Sequence, residues 1–181
     1  MRALIDWSFA LCTPTEQLMW ARLSVFADGF NLDAAEDVCA DAQIPASAVF
    51  STLEGLVDKS ILSMRRGEAR VRYRLPETLR EYGAERLEQM GERVAVHRRA
   101  RDRCARLVEG LASDWFSSRQ ADLLRTLRLE HGNIRAALNF CLSEADASAM
   151  GLGSGRASPA ARRRLDRTRH GFAGDRQERG G

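Results

Sequence analysis

A triphosphate grip of the Walker type needs a glycine-rich turn whose backbone N–H groups cradle phosphates, followed directly by a lysine. The chain has one lysine, Lys59, in the run Leu56-Val57-Asp58-Lys59-Ser60-Ile61, far from any such turn. The glycine-rich stretch 151–155 follows no strand pattern and precedes no lysine. His97, His131 and His170 lack partners at triad or metal-ligand spacing, and Glu130-His131 lacks the second histidine of a zinc-protease helix. Ser8, Ser24 and Ser60 sit in no Gly-x-Ser-x-Gly elbow. Cys12, Cys39, Cys104 and Cys141 form no Cys-x-x-Cys pair and read as free thiols in a reducing compartment. These patterns predict no enzyme, no cofactor and no metal centre.

The chemistry that remains is cationic. Arg65, Arg66, Arg70, Arg72 and Arg74 fall within ten residues and are the candidate contacts for phosphate or for an acidic partner. A β-hairpin must carry them, because the hydrophobic period changes to 2 here. Strands are predicted at 61–64 and 69–75, around a turn at 65–68. In the second strand Val71, Tyr73 and Leu75 should face the core, and Arg70, Arg72 and Arg74 the solvent.

Helices flank this hairpin. Thr13-Pro14-Thr15-Glu16 predicts a helix start with a capping box, backed by the stripe Leu18, Met19, Arg22, Leu23 and Phe26. Asn31 should open a short helix, and another follows Pro45 with Val49, Leu53, Leu56 and Val57 buried. Pro76 ends the hairpin and starts a helix running to Gly91. Glu77 should then satisfy open N–H groups at that helix's start. Two longer helices are predicted at 94–112 and 119–145. In the second, Leu124, Leu127, His131, Ile134, Leu138 and Cys141 make a seam at alternating spacings of three and four, with His131 held by a hydrogen bond between helices.

The fold class follows: mainly α with one β-hairpin, a winged helix-turn-helix over 1–91, then an antiparallel helical pair of repeat type over 92–145. Residues 146–181 should be a disordered Arg/Gly-rich tail, since 151–181 hold eight arginines against three acids and no apolar period. Such a tail could lend non-specific affinity for nucleic acid. The expected winged-helix core is Trp7, Phe26, Leu56, Val57, Tyr73 and Leu79, while Leu127, Ile134 and Leu138 should hold the helical pair. No apolar run is long enough for a membrane span, and Asp6 interrupts any signal-peptide core, so a cytoplasmic location and no membrane partner are expected.

Several strings in register carry a resemblance. Ile5-Asp6-Trp7-Ser8, Leu23-Ser24-Val25-Phe26-Ala27-Asp28-Gly29-Phe30, Leu56-Val57-Asp58-Lys59-Ser60, the run 73–82 and the run 130–138 resemble bacterial STAND-class signal-transduction ATPases, the large LuxR-type and AfsR-like transcriptional regulators. The resemblance covers about residues 3–145. It implies a winged-helix domain and the start of a tetratricopeptide-like region, without the ATPase domain. A truncated or frameshifted end is the matching expectation for the tail. In related immune NTPases a His-Asp pair at the post-wing helix senses nucleotide; the matching positions are Pro76 and Glu77, and Pro76 has no side-chain donor.

Two functional readings follow. The first is a non-catalytic regulatory and interaction module. Its partner would be a protein, namely the ATPase or repeat domain of a regulator, with self-association through unfinished repeat helices. The second is a DNA-binding winged helix that uses the Arg-rich wing. Against base reading, the helix before the hairpin offers Ser47, Ser51, Thr52, Glu54, Asp58 and Lys59, and lacks Arg, Asn or Gln pairs suited to base edges.

Overall fold

The structure is a computed structural model and describes residues 2–66, 71–113 and 120–152. Their order is α1 (Arg2–Ala10), α2 (Pro14–Leu23), α3 (Leu32–Cys39), α4 (Ala46–Asp58), β1 (Ser63–Arg66), β2 (Val71–Arg74), α5 (Glu77–Gln89), α6 (Arg93–Ser113) and α7 (Gln120–Leu152). The described residues fall in two units, one ending at Cys141 and the other beginning at Leu142. Everything tertiary below belongs to the first. The architecture is mainly α with one antiparallel hairpin, as the winged-helix pattern requires.

Local chemistry sets each element. The capping box at α2 is present: Thr13 Oγ1 accepts from Glu16 N at 3.2 Å, and Glu16 Oε2 accepts from Thr13 N at 2.7 Å. Asn31 caps α3 by accepting from Ala34 N. Helices α4 and α5 both end in a left-handed residue, but with different chemistry. Gly91 has φ +72° after α5, whereas Ser60 has φ 58° after α4. An L-residue there costs about 1–2 kcal/mol. The backbone gains hydrogen bonds in return, since Ile61 N donates to Leu56 O at 2.9 Å.

The core lies between α2, α3, α4, α5 and the hairpin. Met19, Trp20, Leu23, Phe30, Val49, Leu53 and Leu56 are all fully buried. Trp20 Nε1 donates to Leu79 O at 2.8 Å, so the indole satisfies its polar atom inside the core. Phe9 meets Trp20 edge-on at 5.4 Å, and Tyr82 at 5.5 Å. Arg86 lies over the faces of both Phe9 and Tyr82, and its Nη2 reaches Asp6 Oδ1 at 3.1 Å. Helix α1 is therefore tied to α5 by one aromatic face and two ion pairs, the second between Arg2 and Glu85.

A buried cation joins the loops. Arg22 is fully buried and donates through Nε to Glu92 Oε2 at 2.8 Å, through Nη1 to Cys39 O at 2.8 Å, and through Nη2 to Asp41 Oδ2 at 2.7 Å. Burial opposes the charge of Asp41, but the Arg22 guanidinium and the N–H groups of Gln43 and Ile44 outweigh it and hold the carboxyl at about 2.

Some expectations need correction. Trp7 is 61% exposed and lies on an outward stripe of α1 with Leu4 and Leu11, so it is no core residue. Arg65 and Arg66 belong to β1, not to the turn, because the strands pair Ser63↔Arg74, Met64↔Tyr73, Arg65↔Arg72 and Arg66↔Val71. Val71 is exposed while Tyr73 and Leu75 are buried. Helix α7 continues to Leu152, past the expected start of the tail at 146; residues 153–181 lie outside the described residues. The seam of α7 is also turned around. Leu138 is 59% exposed and His131 is exposed, while Leu123, Glu130, Asn133 and Phe140 are buried.

Candidate functional site

The hairpin displays its cations by register. Directly opposed residues share a face, so Ser63, Arg65, Arg72 and Arg74 line one side of the sheet and Met64, Arg66, Val71 and Tyr73 the other. The second side carries the core. Tyr73 exchanges both backbone hydrogen bonds with Phe30, at 2.9 and 2.8 Å, which adds a one-residue third strand to β2. That side also opens on a groove of about 370 Å³ lined by Asn31, Leu32, Asp33, Phe50, Val71 and Tyr73.

Among the arginines singled out in the sequence, Arg65, Arg66 and Arg74 are exposed, and Arg70 lies outside the described residues. Arg72 is different. Its Nη1 donates to Glu130 Oε1 at 2.7 Å, and its Nη2 donates to Leu129 O at 3.0 Å and to Gly29 O.

Around Arg72 the structure builds a junction between the loop after α2, strand β2, and helices α6 and α7. Glu130 is 3% exposed, and its Oε2 accepts from Asn133 Nδ2 at 2.8 Å and lies 4.0 Å from Arg103 Nη1. Asn133 also donates to Gly29 O at 3.2 Å and accepts from Asp28 N at 3.1 Å. Asp28 Oδ2 accepts from the backbone N–H of Gly132 at 3.0 Å. A buried carboxylate and a buried amide are thus both partnered, which is the condition for holding α7 in one orientation. Spacing gave no sign of this junction, because Arg72 and Glu130 are 58 residues apart.

The other side chains singled out have structural work. Lys59 Nζ donates to Glu16 Oε1 at 2.6 Å, so the single lysine ties the end of α4 to the start of α2. On α4, Ser51 and Thr52 hydroxyls donate to Ala48 O, which leaves Glu54 and Asp58 as its exposed charges. Glu77 pairs with Arg80 instead of with its own helix's N–H groups, and that guanidinium lowers its pKa. No cluster among the described residues could hold a metal ion. No helix among them is long and apolar enough to cross a membrane.

Comparison with known proteins agrees with this architecture. Residues 13–88 match the family model of a winged helix-turn-helix domain. Proteins named "Putative HTH-type transcriptional regulator" from Mycobacterium bovis and Mycobacterium tuberculosis are 40% identical over 137 residues, which is 76% of this chain. The chain spans only 15% of their length. An uncharacterized protein of Mycobacterium tuberculosis is 37% identical over 100 residues. No solved structure matches. Residues 13–88 form a winged helix-turn-helix domain, in a chain homologous to proteins named as HTH-type transcriptional regulators.

Proposed function

We propose that the chain is a non-catalytic regulatory and docking module of an HTH-type transcriptional regulator. The winged helix is its body, and α6 with α7 is the arm that meets further protein. One observation carries this reading: the Asp28–Arg72–Glu130–Asn133 junction, a fully partnered polar lock between body and arm. Relatives several times longer supply the context, and a nucleotide-binding or repeat domain of such a regulator is the proposed partner. That this regulator is a STAND-class ATPase rests on the sequence resemblance alone. Leu124 and Leu138, 43% and 59% exposed on the outer side of α7, are the surface through which the arm would self-associate or receive a partner.

Hydrogen exchange on the full chain tests this. Amides of α7 between 123 and 140 should be protected like those of α2. Arg72→Ala together with Asn133→Ala should release α7 while α2 to α5 keep their protection. Fast exchange of α7 in the unaltered chain would end the docking reading.

A second reading is DNA contact by the hairpin, favoured by the exposure of Arg65 and Arg74 on one face. Because α4 presents Glu54 and Asp58, the contact would be to phosphates and not to base edges. A gel shift across a salt series separates the two modes. Phosphate contact gives weak, sequence-independent retention that disappears as salt rises.

A further inference from the structure

We propose that the outer face of the hairpin is a phosphate-backbone contact for duplex DNA, and that α7 keeps it partly closed by holding Glu130 where a phosphate would sit on Arg72. This rests on the DNA reading above and adds its regulation. The register places Arg65 directly opposite Arg72, with Arg74 two residues along on the same face. Opposed residues in an antiparallel pair stand roughly 5 Å apart at Cβ, and like charges so placed repel. Such a face gains from an anion.

In this structure the anion is internal. Glu130 Oε1 takes Nη1 of Arg72 at 2.7 Å, and carbonyl oxygens of Gly29 and Leu129 take Nη2. Glu130 takes one N–H of this guanidinium, at Nη1, and a phosphodiester oxygen would compete for that same donor. One arginine cannot serve both. Arg65 and Arg74 stay exposed, so among the described residues the face keeps two cations for encounter and withholds a third.

The withheld arginine is also the one that touches the arm. Asp28 and Asn133 hold α7 against the same loop. Any partner that lifts α7 therefore takes Glu130 and the Leu129 carbonyl away and frees Nη1 of Arg72, while Nη2 keeps Gly29 O. By linkage, DNA on this face must loosen α7 as much as loosening α7 favours DNA. The outer face is therefore an interaction surface whose valence is set by the position of the arm.

The test is fluorescence anisotropy with the full chain and a mixed-sequence DNA duplex, from 50 to 200 mM salt. Glu130→Gln removes the competing charge and keeps the side chain's size. It should bind more tightly, with a plot of log affinity against log salt steeper by about 0.9, the increment for one added phosphate contact. Adding Arg72→Ala to that variant should restore the original slope. Arg72→Ala alone should leave the slope nearly unchanged, whereas Arg65→Ala and Arg74→Ala should each flatten it.

If Glu130→Gln unfolds, Asn133→Ala loosens the arm without changing charge and should steepen the slope in the same way. An unchanged slope in a folded Glu130→Gln protein, with Arg65→Ala and Arg74→Ala still flattening theirs, overturns the gating while leaving the DNA reading intact. No slope change in any arginine variant, or a response to duplex RNA alone, overturns both.

Discussion

Asp28 accepts a hydrogen bond from the backbone of Gly132, in the middle of α7, and only a glycine leaves room for it. The carboxylate oxygen lies 3.0 Å from the Gly132 nitrogen, and a Cβ built at Gly132 would overlap it. Gly110 on α6 has nothing within 4 Å of its Cβ position. The two glycines should thus respond oppositely to alanine. Gly110→Ala should stabilise by up to about 1 kcal/mol through helix propensity. Gly132→Ala should destabilise by roughly 1–3 kcal/mol, because the Asp28 carboxylate must swing away and give up its hydrogen bond to the Gly132 N–H. Thermal unfolding checks the sign, at about 2–4 °C per kcal/mol for a chain of this size.

Arg22 ties the α3–α4 and α5–α6 connections together from inside the protein. Replacing it with methionine leaves Asp41 and Glu92 without their shared cation. Loss of one partner from a buried pair costs about 3–5 kcal/mol. The low end is expected here, because Asp41 and Glu92 side chains keep 32% and 24% of their exposure and can rehydrate. Lysine should fall between, since it keeps the charge but loses the fork. Asp41 adds a pH signature. Its folded pKa of about 2 lies below the ordinary 3.8, so its contribution is complete above pH 4 and is lost as pH falls from there toward 2. Urea midpoints at stepped pH should show that acid limb in the unaltered chain and a shallower one in Arg22→Met.

The exposed and buried tryptophans give a third test. Trp20 is fully buried among Phe9 and Tyr82, whereas Trp7 is 61% exposed. Trp20→Ala should cost about 3–5 kcal/mol. Trp7→Ala should stay within about 0.5 kcal/mol. Denaturant titration of the two variants measures both, and a large loss from Trp7→Ala would mean that the outward stripe of α1 is covered in solution.

Trp7 also shows where sequence reading stops. The capping box of Thr13 and Glu16, the hairpin, and the helix starts at Asn31 and Pro76 were legible, because each is written in neighbouring residues. The face of a helix was not. On α1, apolar residues occupy both the inward side, with Ile5 and Phe9, and the outward side, with Leu4, Trp7 and Leu11, so periodicity alone favours neither. On α7, the buried face is disguised by Glu130 and Asn133, which look like surface residues until Arg72 and Asp28 arrive from far along the chain. Ser60 hides a left-handed helix end that glycine would have announced. Of the candidate arginines, composition identified the cluster; only register separated the outer-face Arg72 from Arg66.

His97 supplies the last prediction, and its sign follows from packing. Its ring stacks on Phe140 at 5.0 Å with an interplanar angle of 16°, joining α6 to α7. Burial lowers its pKa below 6.5, and the nearby Arg93 lowers it further, against a smaller opposing pull from Glu88. The folded chain thus favours the neutral ring, while the unfolded chain protonates at the ordinary value. More protons are bound on unfolding in that window, so this contribution is complete above pH 6.5 and declines as pH falls through the lowered folded value. Hydrogen exchange at pH 7.5 and 5.5, corrected for the intrinsic rate, should show α7 loosening at the lower pH. His97→Phe keeps the stacking and cannot be protonated, so its α7 protection should not change between the two conditions. Equal loss of protection in His97→Phe would assign the pH response to another group.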